Sequence, residues 1–217
     1  MKIDWSSINN SRLSKIIKDD SSGVYAWYYQ IKLSNFDSNQ LVEKVENSAS
    51  ISERKAIVKN FLNKNLFSFF RYPDFEAKIS GPLAPTFTGN LEYHLELTDS
   101  LVDRIADEPN IIFSVRNAIA EMAPEFSSPL YVGMASNLKR RLIQHKSLIM
   151  NLKDRKSLVF SEEASKNDRN FAERVNSRGF ILNDLFVCVS EIDSDNGLHN
   201  TIENIINRVN HPILGRN

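Results

Sequence analysis

The chain has 217 residues, 27 acidic and 27 basic side chains that cancel to a formal net charge of zero, and one cysteine. That length buries a core without disulfide or metal staples, and the charge balance excludes a global positive field, so any nucleic-acid contact has to be local. The start, Met1-Lys2-Ile3-Asp4-Trp5, lacks the basic-then-apolar design of a secretory leader and no run approaches the ~18 apolar residues of a membrane span, so a cytoplasmic protein with no membrane partner is expected.

Residues 12 to 18 carry a short helical pattern ended by the breaker cluster Asp19-Asp20-Ser21-Ser22-Gly23. Val24 to Leu33 is β-branched and aromatic without helical spacing and reads as a strand. Asp37-Ser38-Asn39-Gln40 reads as the cap of a helix carrying Leu41, Val42 and Val45. In the next helix, Ser52 to Leu62, Ile57, Val58, Phe61 and Leu62 share one face. Phe67 to Thr88 is aromatic-rich and punctuated by Pro73, Gly81, Pro82 and Pro85, with Gly89 after it, which predicts loops or edge strands. Asn90 to Leu97 alternates at period two and predicts a strand with one wet face. Two helical patterns separated by Pro109 occupy residues 98 to 122.

Pro129 to Gly133 is again a strand, running into a helix from Ser136 to Asn151 with Ser136 as its expected cap. Leu138, Leu142, Ile143 and Ile149 supply the buried face of that helix, and Arg141 and His145, four apart, share one side. Residues 152 to 178 read as a charged loop with a short helix around Phe171. A strand from Phe180 to Val189 and a helix from His199 to Val209 follow. Cys188 lies inside the apolar run 185–189 and reads as a small hydrophobe. The fold class expected is mixed α/β (α+β).

Four pieces of this pattern occur in an informative order. Gly23-Val24-Tyr25 leads into the Val24–Leu33 strand and Tyr131-Val132-Gly133 closes the Pro129–Gly133 strand. Asn137-Leu138-Lys139-Arg140-Arg141-Leu142-Ile143-Gln144-His145 repeats an Asn-Leu-x-x-Arg-Leu-x-x-His register, and Ile202-Glu203-Asn204-Ile205-Ile206 precedes His211-Pro212. Together these resemble the GIY-YIG nucleases, a family marked by two strand tripeptides, an Arg-bearing helix and a late helical Glu. The resemblance covers residues 20 to 30 and 129 to 217. About a hundred residues separate the tripeptides where the family usually has about ten, an insertion tolerable at a hairpin tip because closure entropy grows slowly with loop length. The resemblance implies a small antiparallel sheet flanked by helices, built from residues 1–33 and 129–217, with 34–128 as an inserted α+β subdomain.

The activity it implies is divalent-metal-dependent hydrolysis of phosphodiester bonds in DNA, in a chain similar in size to the family's stand-alone restriction enzymes. Restriction or defence against foreign DNA is the expected setting, a defence-system protein the expected kind of partner, and a homodimer what symmetric double-strand cuts would require. Hydrolysis needs an activated water, charge relief at phosphorus and help for the leaving oxygen. By resemblance Glu203 holds Mg2+ or Mn2+, Arg141 grips phosphate oxygens through its planar fork, and Tyr25 serves as base or water-positioner. Tyr131 is its hydrogen-bonding partner and His145 orients a tyrosine or exchanges its proton. Arg140, Lys139, Lys59, Arg71 and the terminal Asn217 are candidate substrate contacts. Lys59 and Arg71 belong to a stretch of the insertion where cations interleave with Phe61, Phe67, Phe69 and Phe70, a mix suited to phosphates and bases and equally to the insertion's own core.

Each residue also has a structural reading taken singly, Tyr25 and Tyr131 as strand aromatics and Lys139-Arg140-Arg141 as a solvated face. A catalytically idle nucleic-acid-binding or protein-interaction module with the same fold is the competing function.

Overall fold

The computed structural model describes residues 1–70, 75–92, 96–122, 127–153, 166–192 and 198–215. The candidate substrate contacts Arg71 and Asn217 lie outside them. The protein is mixed α+β, and by contacts it divides into two compact units, Met1–Lys32 with Ala118–Asn217, and Leu33–Asn117.

In the first unit the strands are β1 (Lys2–Asp4), β2 (Gly23–Tyr29), β5 (Tyr131–Ala135) and β6 (Leu185–Glu191), in the antiparallel order β1-β6-β2-β5. The helices are α1 (Asn10–Leu13), the carboxyl-terminal part of α5 (Ile111–Met122), α6 (Leu138–Lys153), α7 (Lys166–Ser177) and α8 (Leu198–Asn210). On β2 the odd positions Tyr25, Trp27 and Tyr29 are all at least 97% buried, because alternate residues of a strand share a face. Trp27 meets Trp5 and Phe171 at ring-centroid distances of 6.0 and 5.8 Å, and Tyr29 meets Phe180 at 4.7 Å. α6 closes this face with Leu138, Leu142, His145 and Ile149, one stripe at i, i+4, i+7 and i+11. Ile143, expected in that stripe, is only half-buried.

The cap of α6 is Asn137, one residue beyond the expected Ser136. Its side-chain oxygen accepts from the Arg140 amide at 2.9 Å, and its amide group donates to Asp20 at 2.9 Å. The Leu138 amide donates to the carbonyl of Ser21, so the start of α6 is tied to the loop that leads into β2. β6 starts later than the alternation suggests because a 3-10 turn, Leu182–Asp184, intervenes. There the Asp184 carbonyl accepts from the Gln30 amide and its carboxylate from Lys32. Cys188 lies half-buried on β6, where burial pushes its thiol up, in keeping with a packing role.

The second unit holds α2 (Asn35–Glu46), α3 (Ile51–Leu62), the strands β3 (Phe75–Gly81) and β4 (Ala84–Leu91), α4 (Asp99–Asp107) and the start of α5. Ser34 caps α2, three residues before the expected cluster, because its hydroxyl reaches the Asp37 amide at 3.0 Å. Ser50 caps α3, its hydroxyl oxygen accepting from the Glu53 amide, while the Glu53 carboxylate accepts from the Ala49 amide. The proline-rich stretch that read as loops or edge strands forms the β3–β4 ribbon around a turn at Pro82-Leu83, and β4 ends at Leu91 where a strand running on to Leu97 was expected. The boundary between the units falls inside α5, earlier than the expected residue 128.

Gly23 sits where a Cβ would lie 2.1 Å from the Ser190 carbonyl oxygen and 2.9 Å from Leu138, so neither β6 nor α6 leaves room for one. Gly23→Ala should therefore cost more than ~3 kcal/mol, or abolish the cooperative transition in urea, whereas Gly89→Ala, with nothing within 4 Å, should stay within ~1 kcal/mol. Equal urea midpoints for the two variants would contradict this packing.

Candidate active site

The two tripeptides lie side by side. β2 and β5 pair antiparallel with Tyr25 opposite Gly133 and Trp27 opposite Tyr131, across the whole inserted segment. Gly133 is required there by space: a Cβ would sit 2.6 Å from the Tyr25 hydroxyl oxygen and 2.8 Å from the Tyr131 ring. The Tyr25 phenol thus passes over a bare backbone and reaches α6.

On α6 it meets two side chains one helical turn apart. Arg141 Nε donates to the Tyr25 oxygen at 3.2 Å, and the same hydroxyl lies 2.9 Å from His145 Nε2. His145 is completely buried, and burial together with the neighbouring Arg141 guanidinium holds its pKa down to about 3, so the ring is neutral. With Arg141 donating to the oxygen, we assign the phenol proton to the bond with His145 Nε2, which makes that nitrogen the acceptor of the neutral ring. Phe171 and Tyr131 press on His145 with centroids at 5.2 and 5.8 Å, and Tyr131 meets Tyr25 ring to ring at 6.2 Å.

Arg141 is held a second time, by the Gln144 carbonyl oxygen at 3.3 Å from Nη1, and it forms part of a cleft of about 470 Å³. Met134 to Asn137, Arg140, Gln144 and His199 complete the lining. Two guanidinium groups and no carboxylate among these residues make the cleft a place for an anion.

α8 brings the remaining candidate. It packs against β5 and β2, and its half-buried positions 199, 202, 203, 206 and 207 form one stripe that includes Glu203. The Glu203 carboxylate accepts from Asn207 at 2.9 Å. Just past the helix, the Leu214 amide donates to the Leu130 carbonyl at 2.7 Å, and Arg174 of α7 donates to the Gly215 carbonyl at 2.8 Å, which fixes the end of α8 beside the start of β5.

Of the sequence candidates, Tyr25, Tyr131, Arg141 and His145 form one bonded and stacked group, Arg140 lines the cleft beside them, and Glu203 stands on the helix that supplies His199 to it. Lys139 turns away and pairs with Asp19 and Ser14. Lys59 lies on α3 in the other unit, 3.9 Å from Asp99. Sequence reasoning passed over Gln144 and His199. Gln144 could have been found as the i+3 neighbour of Arg141, and His199 as the residue one turn before Glu203.

A magnesium-type ion asks for few protein ligands, commonly one or two carboxylates with water and substrate oxygens making up the rest. Among the described residues no group of three His, Cys, Asp or Glu forms a closed metal cage, and a single half-buried, Asn207-oriented carboxylate at Glu203 fits that open kind of site. Comparison with family models, with curated proteins and with solved structures finds no match for this chain.

His145 is neutral when folded and takes up a proton on unfolding once the pH drops below its ordinary value of 6.5. Its contribution to stability is therefore intact above about pH 6.5 and lost towards pH 3, at roughly 1.4 kcal/mol per pH unit. Urea titrations between pH 7 and pH 4 should give a steeper loss for the wild type than for His145→Gln by that amount; parallel pH profiles would exclude a neutral buried His145.

Proposed function

We propose that this chain is a divalent-metal-dependent endonuclease of the GIY-YIG kind, hydrolysing phosphodiester bonds in DNA. The observation that carries the reading is the Tyr25–Arg141–His145 hydrogen-bonded group, aligned by the paired tripeptides and opening on an anion-favouring cleft. A residual set of strand aromatics and a solvated basic face would not need a phenol threaded over Gly133 to reach an arginine on another element.

Arg141 presents the transition-state clamp. Its fork matches two phosphate oxygens, and its Nε and Nη1 bonds to Tyr25 and Gln144 fix the guanidinium plane before substrate arrives, which lowers the ordering cost at the moment of reaction. Tyr25 is 1% exposed, so in this arrangement it acts on the cleft through Arg141 as a positioning residue, with neutral His145 holding its proton out of the way. That is a different role from the base or water-positioner expected from sequence. Glu203 would hold the magnesium or manganese ion, which when bound supplies Lewis acidity and charge neutralisation at the reacting phosphate. Restriction or defence remains the setting we propose, with DNA as partner.

Purified protein incubated with supercoiled plasmid and magnesium or manganese should nick or linearise it, and Glu203→Ala should lower the rate at least ~100-fold. Arg141→Lys should fall nearly as far as Arg141→Ala because a point charge cannot replace the fork. Tyr25→Phe should lower kcat ~10-fold or more with little change in KM, by releasing Arg141. DNA binding with no metal-dependent cleavage of plasmid or single strands, unchanged in Glu203→Ala, would replace the enzyme with the idle binding module.

A further inference from the structure

We propose that His199 is a substrate-contacting residue whose imidazole donates a hydrogen bond to a phosphate oxygen of the DNA strand, facing Arg140 and Arg141 across the cleft. The inference rests on the endonuclease reading and extends it to a residue that no motif singles out.

The cleft draws its lining from three elements. β5 supplies Met134 and Ala135, α6 with its cap supplies Asn137, Arg140, Arg141 and Gln144, and α8 supplies His199. The cationic side chains in that lining come from α6, so an anion held by them alone would be gripped from one side. Among the lining residues His199 is the one that α8 supplies, and its ring offers an N–H donor from a second helix.

Among the described residues nothing gives His199 a structural duty. His199 is half-buried, and its Nδ1 is shielded from solvent without a hydrogen-bond partner among the described residues. A histidine serving as a cap or a core polar group would normally have that nitrogen satisfied, since a shielded, unbonded one is costly. His199 also lies one turn before Glu203 on the same stripe of α8. A phosphate bridging Arg141 and His199 would therefore be bordered by the helix face that carries the carboxylate. The neighbouring Leu198 and Asn200 are exposed and lie off this face.

The test measures binding of a fluorescein-labelled duplex oligonucleotide in EDTA, and plasmid cleavage with magnesium or manganese, for wild type, His199→Ala, His199→Gln and Asn200→Ala. We expect His199→Ala to weaken binding and raise KM about tenfold with kcat nearly unchanged. His199→Gln, which keeps an N–H donor, should recover most of the loss, and Asn200→Ala should match wild type. His199→Ala with wild-type binding and KM overturns the inference while leaving the endonuclease standing. So do equal losses in both His199 variants accompanied by a lower Tm, which would make the residue structural. Wild-type protein that neither binds nor cuts DNA removes the endonuclease reading and this inference with it.

Discussion

The first unit is organised around one hydroxyl group. Tyr25 lies on a central strand, its phenol is walled in by Tyr131 and His145, and its oxygen is shared between the sheet and α6 through Arg141 and His145. A charge-assisted bond of this kind contributes about 1.5–3 kcal/mol where water is excluded, and removing either partner strands a buried polar group. The arrangement therefore selects both the rotation of α6 about its axis and the orientation of the guanidinium that faces the cleft. Stability and pre-organisation have the same source here.

That contact depends on two absences of side chain. Gly133 leaves the space through which the phenol passes, and Gly23 lets β2 approach β6 and α6 closely enough for the strand to sit where Tyr25 is useful. Both are constraints of close approach rather than of unusual backbone angle, which explains why the glycines begin one tripeptide and end the other: they occupy the positions opposite or beneath bulk supplied by another element. The pairing register converts this local requirement into a site, since Tyr25 opposite Gly133 also puts Tyr131 diagonally beside Tyr25.

The inserted unit interrupts the chain between the two strands without interrupting their ladder. Closure entropy rises only with the logarithm of loop length, and here the intervening residues form a compact unit with its own caps and buried positions, so they do not behave as a floppy loop. The cost falls on folding order, because β2 must wait for β5 and β6 before the phenol finds its partners. α8 is fastened by the backbone bond from Leu214 to Leu130 and by the Arg174 side chain on the Gly215 carbonyl, and it brings His199 to a cleft whose other walls were made far earlier in sequence.

From sequence alone the element types were legible wherever periodicity was strong: the apolar faces of α3 and α6, the aromatic strand β2, the pair of helices around Pro109. The register Arg141 to His145 was legible too, because i and i+4 share a helix side whatever the fold. Boundaries were not. Ser34, Asn137 and the turn before Leu185 are set by which backbone donor or acceptor a side chain can reach in three dimensions, and a proline-rich stretch can close a ribbon when its turn falls between the strands. The sequence by itself determined which residue types are available to bind a phosphate and which of them ride the same helix. Only the tertiary structure decided that Lys139 is committed to Asp19 while Arg140 and Arg141 face the cleft, that Tyr25 is buried behind Arg141 rather than open to it, and that His199 joins them. The reason is physical: periodicity specifies one face of one element, whereas a site is the meeting of several elements, and their meeting is governed by the space, burial and hydrogen-bond partners that neighbours distant in sequence supply.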